Sequence, residues 1–152
     1  MPRPLPDVAA SHPVPQQSAI AEQQAWHRLV ICGRPEQVGV ARAFVRQVLG
    51  AGHPGIERVT LLTSELVTNS VSHSDSRLDG GSITVTVRAA GTVRVEVTDD
   101  GGPTAPTLRL DDDLAESGRG LRLVEAYSLA WDYYRDGTRT VTWFECEAEP
   151  LV

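Results

Sequence analysis

The strongest constraint in this sequence is a change of hydrophobic period. From Ile56 to His73 the chain reads IERVTLLTSELVTNSVSH, in which Val59, Leu62 and Leu66 fall on one stripe at about 100° per residue. After the turn-rich stretch Ser74 to Gly81 the spacing becomes strict alternation. Ile83, Val85 and Val87, then Val93, Val95 and Val97, alternate with Thr84, Thr86, Arg88, Arg94, Glu96 and Thr98. A striped helix and an antiparallel hairpin that is apolar on one face can bury those faces against each other. The predicted class is therefore α+β, with helices layered on a sheet.

Within the helix, Glu65, Asn69 and His73 stand at i, i+4 and i+8 and form a polar ladder that flanks the apolar stripe and partly overlaps it. A carboxylate turned toward a core needs a partner, because an isolated buried charge costs several kcal/mol or is neutralised by a pKa shift. A bound ligand or metal ion is one such partner. Asp99 continues the register of Val93, Val95 and Val97, so it is an acid at a strand end aimed inward. Asp100, Gly101, Gly102 and Pro103 follow it, a tight backbone that permits close approach. Further on, Gly118-Arg119-Gly120 precedes a short helical pattern from Leu121 to Tyr127, and N–H groups at a helix start can face an anion. Taken singly, each of these patterns is as common in plain turns and surfaces as in sites.

The remaining chain completes one domain. Residues 1–24 carry Pro2, Pro4, Pro6, Pro13 and Pro15 with no apolar period and read as a disordered tail, leaving a domain over 25–149. Trp26 to Cys32 reads as a first strand, at an edge. Pro35 opens a helix whose Val38, Ala41, Val45, Val48 and Leu49 recur until Gly50, and Arg42 and Arg46 on it read as solvated surface. Thr104 to Ser117, with Asp111, Asp112, Asp113 and Glu116, reads as a mobile surface segment. Leu129 to Arg135 and Thr138 to Glu147 flank Asp136-Gly137, a hairpin signal.

Bulk properties exclude several functions. The net charge of -6 argues against nucleic acid or an anionic membrane as partner, and no apolar run is long enough to span a bilayer. No basic segment followed by an apolar one marks a secretion signal, and Cys32 and Cys146, far apart and without CxxC spacing, fit a reducing cytoplasm. All 14 basic residues are Arg, so a P-loop lysine, a Schiff-base lysine and a kinase β3 lysine are all excluded.

In order, the motifs are a helix carrying ExxxNxxxH, a strand ending in D-x-G, an acidic segment, and GxG at a helix. This order, over about Trp26 to Glu147 and most specifically in SELVTNSVSH, resembles the Bergerat-fold (GHKL) ATP-binding superfamily. The closer likeness is to its bacterial branch of anti-sigma-factor serine kinases, where the motifs are the N, G1 and G2 boxes. The resemblance implies a two-layer α/β sandwich with a mostly antiparallel mixed sheet of about five strands and helices on one face. It also implies ATP and Mg²⁺ as ligands.

By the same resemblance Glu65 matches the general base, Asn69 the Mg²⁺ residue, and Asp99 the acceptor of the adenine amino group. Gly101 matches the glycine beside adenine, and Gly118, Arg119, Gly120 and Leu121 the lid and phosphate cradle. His73 aligns with the N-box histidine, for which a structural role weighs as much as a ligand contact. The family threonine after the last hairpin turn corresponds to either Thr138 or Thr140, between which the sequence does not decide. Pro103 departs from the pattern, standing where a third glycine is expected and removing a donor.

The implied function is an ATP-dependent kinase that binds a sigma factor and phosphorylates a serine of an anti-sigma antagonist, with a homodimer implied by the family alone. The alternatives are a module in which ATP only shapes a protein-binding surface, and a detached histidine-kinase catalytic domain. The proline-rich tail offers no dimerisation helices for the last of these.

Overall fold

The computed structural model describes residues 25–103 and 116–148. The expectations for the tail and for residues 104–115 fall outside them. Five strands, β1 (His27–Cys32), β2 (Ser82–Ala89), β3 (Thr92–Asp99), β4 (Ala130–Asp136) and β5 (Arg139–Glu147), form one sheet in the order β1-β2-β3-β5-β4. Helices α1 (Val38–Leu49), α2 (Ile56–His73) and α3 (Glu116–Tyr127) supply the second layer. The α+β class and the sheet of about five strands are found as expected. All four pairings are antiparallel, so the mixed component of that expectation is absent among the described residues.

Alternation sets which residues face the helices. Ile83, Val85 and Val87 on β2, Val93, Val95 and Val97 on β3, and Phe144 and Cys146 on β5 join one core cluster with Ala41 and Val45 of α1 and Leu121 and Val124 of α3. The opposite face stays wet: Arg94 lies 4.0 Å from the Trp143 ring centroid and bridges Glu96 and Glu145. β1 is an edge strand as expected, and Cys32 on it and Cys146 on β5 are free thiols.

α2 is the hub of the helical layer, packed on α1 and α3 and touching β3 and β5. Its buried set, Val59, Thr60, Leu62, Thr63, Ser64, Leu66, Val67, Ser70 and Val71, is wider than the predicted stripe, because neighbours cover it on several sides. Two of its buried hydroxyls are satisfied by the helix itself: Thr63 Oγ1 donates to Val59 O at 2.8 Å and Ser64 Oγ to Leu61 O at 2.9 Å.

Two boundaries differ from the sequence reading. Pro35–Gln37 forms a 3-10 turn ahead of α1 rather than its first turn. α3 begins at Glu116, so Gly118 and Gly120 lie inside the helix instead of opening it, and Glu116 and Ser117 leave the surface segment. Glycine weakens a helix by only about 1 kcal/mol, and an acidic residue at the positive end of the dipole favours the earlier start. Among the described residues no helix is long and apolar enough to cross a membrane.

Candidate functional site

The end of β3 meets the last turns of α2. There Asp99, 6 % exposed, points inward as its alternation predicts. Ser70 Oγ donates to one carboxylate oxygen at 2.7 Å, and the backbone N–H of Gly101 donates to the other at 2.8 Å. Burial pushes this carboxyl above the usual aspartate range. Ser70, the Gly101 N–H and the charge of Arg135 pull it down, while Asp100 adds to the rise. Among the described residues each oxygen has one donor, which leaves acceptor capacity toward a further N–H.

Thr140 sits beside Asp99 in the β3–β5 register. It is 2 % exposed, and its hydroxyl has no hydrogen-bond partner among the described residues. A buried hydroxyl without a partner beside a carboxylate with spare acceptor capacity offers polar groups to a ligand edge, because either group costs free energy when left unpaired. Thr138 lies in the hairpin turn and is exposed. The geometry therefore puts Thr140, not Thr138, with Asp99.

The turn after Asp99 is glycine by necessity. Gly101 has φ +76°, and a Cβ there would lie 2.2 Å from Thr138 O. Gly101 O accepts from Asp75 N at 2.7 Å and Gly102 O from Arg135 Nη2 at 3.0 Å. Behind it, Asp100 N donates to Ser76 Oγ at 2.8 Å, Ser76 Oγ donates to Ser82 O at 2.7 Å, and Asp100 accepts from Ser82 N at 2.9 Å. Asp75–Arg77 is a short 3-10 turn directly after α2, so one connected network ties the helix end to the strand end.

The ladder is found on α2 as read from the sequence. Glu65 and Asn69 are half-buried and His73 is exposed in the last turn. Burial pushes the Glu65 carboxyl above the ordinary glutamate range, and Arg42 of α1 opposes the shift. The Asn69 side chain has no hydrogen-bond partner among the described residues, and Asn69 adjoins Ser70, the residue bonded to Asp99. Its carboxamide oxygen suits a hard cation that keeps water and phosphate ligands. Among the described residues no three His, Cys, Asp or Glu side chains gather at a metal site, so a cation would depend on such outside ligands.

Leu121, expected at the ligand, is 2 % exposed and packs in the core. Gly118, Arg119 and Gly120 lie in the first turns of α3, whose early N–H groups have no partners within the helix.

Sequence reasoning missed Ser70, Ser76, Asp100 and Arg135. Ser70 had a signal: it stands four residues beyond Leu66 and so continues the apolar stripe as a polar residue.

A family model described as "Histidine kinase-like ATPase domain" matches residues 31–145. No curated protein matches. Among solved structures, one of the RsbU and RsbW domains of Rv1364c from Mycobacterium tuberculosis is similar, with TM-score 0.56 and 21% identity over 84% of this chain and 34% of that one. The chain thus spans about a third of that protein's length. A histidine kinase domain from the Erythrobacter litoralis EL346 blue-light activated histidine kinase gives TM-score 0.47 and 22% identity over 74% of this chain and 60% of that one.

Proposed function

Because the chain belongs to the histidine kinase-like ATPase (GHKL) superfamily, we propose that it is an ATP-binding regulatory protein of the partner-switching kind. In this reading it binds a sigma factor or similar protein and phosphorylates a serine of that protein's antagonist. The domain responsible is 25–149, with residues 1–24 a tail. The observation that carries the nucleotide reading is the pairing of buried Asp99 with the orphan hydroxyl of Thr140.

Asp99 accepts the exocyclic amino group of adenine, Thr140 bonds the same edge of the base, and Gly101 lets the base approach the backbone. Asn69 would offer its carboxamide oxygen to the Mg²⁺ that accompanies the nucleotide, with His73 at the rim. The start of α3, with Gly118, Arg119, Gly120 and the backbone of Leu121, faces the phosphate chain. Bound there, Mg²⁺ would neutralise part of the charge that develops on the transferring phosphoryl group. Glu65 takes the proton of the attacking serine hydroxyl as its oxygen bonds to the γ-phosphorus and the bond to the β-phosphate oxygen breaks, leaving ADP. A desolvated Glu65 suits this role, since burial raises its basicity.

Pro103 favours a second reading, in which ATP shapes a protein-binding surface without turnover, because it stiffens the turn where a third glycine is expected. One experiment separates the two. Incubation with Mg-ATP and a candidate antagonist is expected to yield phosphoserine that Glu65→Ala abolishes. Transfer that survives Glu65→Ala would remove Glu65 as the base, and nucleotide binding without any transfer would favour the module.

A further inference from the structure

Arg135 belongs to no motif, yet it is built into the turn that follows Asp99. Pairing along the sheet sets Arg135 opposite Thr140 and Thr140 opposite Asp99, so the three form a row on one face of the sheet, with Asp99 and Thr140 buried and Arg135 exposed at its edge. From this row Arg135 Nη2 donates to Gly102 O at 3.0 Å, and Nη1 lies 3.3 Å from the point where a Cβ on Gly101 would sit. The same β4–β5 hairpin presses its Thr138 carbonyl against Gly101.

The turn needs such support. Gly101 and Gly102 have φ of +76° and +142°, and glycine has more conformational freedom to lose than any other residue. Asp75 secures the Gly101 carbonyl from the α2 side, and Arg135 secures the next carbonyl from the opposite side. The guanidinium is also close enough to Asp99 to favour its ionised form.

We propose that Arg135 braces the Asp99–Gly102 turn and so sets the preference of the site for a base with an amino group facing Asp99, as in adenine, over one with a carbonyl there, as in hypoxanthine. The inference rests on the nucleotide reading above. A fixed carboxylate rewards an amino group and repels a carbonyl oxygen, whereas a carboxylate on a loose turn can rotate away from either. Discrimination therefore depends on the brace more than overall affinity does.

The test is equilibrium binding of ATP and inosine triphosphate to the full chain and to Arg135→Ala, with thermal melting without nucleotide as the control for folding. The expected result is a loss of about tenfold for ATP, the size of one charge-assisted hydrogen bond, with little change for inosine triphosphate. The preference then collapses. Arg135→Lys, which keeps the charge and one donor, is expected to restore part of it. If the alanine variant fails to fold, Arg135→Gln carries the same comparison. Equal losses for both nucleotides, or no loss for either, would overturn the proposal. A wild-type chain that binds neither nucleotide would overturn the nucleotide reading itself, and this inference with it.

Discussion

Asp99 shows how this site sets stability against binding. Its carboxyl is buried, has one hydrogen-bond donor on each oxygen, and titrates above the ordinary aspartate value of 3.8. A raised acid pKa means that the fold favours the protonated form. The stabilising contribution is full below the unfolded value and is lost as pH rises through the folded one. At neutral pH the ionised group is therefore a net cost to the free protein. Asp99→Asn is expected to leave the melting temperature at pH 7 unchanged or higher, and to remove part of the fall in stability between pH 4 and neutrality. Melting curves across that range check it, and a marked loss of stability at pH 7 would contradict it. Asp99 was legible because strict alternation from Val93 to Val97 carries through to it. Arg135 was not, because Ala130 to Asp136 has large or polar residues in both phases, and its face is set by pairing with β5.

Among the elements, α2 and the 3-10 turn after it do most to fix the site. Ser76 is fully buried between Gly33 and Gly81, where an added Cβ would lie 1.9 Å and 2.2 Å from Ser76 O. Neither glycine has open space, so the constraint is backbone against backbone. Gly81→Ala is expected to cost about 1–3 kcal/mol, the usual range for overpacking, and to weaken nucleotide binding by displacing the Ser76–Asp100 bonds. Urea unfolding beside an ATP titration measures both, and an unchanged midpoint would contradict the packing account. The long helix and the β2–β3 hairpin were legible because each has a sustained period exposed on one side. The 3-10 turns and the start of α3 were not, since short segments without a period take their form from tertiary hydrogen bonds and helix-end electrostatics.

For the whole molecule, local pattern says which faces are apolar but not which strands are neighbours. β5 lies between β3 and β4, and that order brings Thr140 to Asp99 and Arg135 to the glycine turn. Nothing in the separate strand sequences specifies it. The helical ladder is legible from residues alone, whereas the Ser70–Asp99 bond that joins helix to sheet beside it is visible only in the fold. The central claim is that α2 and the end of β3 hold two parts of one nucleotide. Calorimetric titration of the full chain with ATP, with and without Mg²⁺, beside Asn69→Ala, tests it most directly. The account predicts wild-type binding that Mg²⁺ strengthens, and an Asn69→Ala variant that keeps its fold and most of its metal-free affinity but loses the gain from Mg²⁺. Equal Mg²⁺ dependence in the two proteins, or no binding by the wild type, would contradict it.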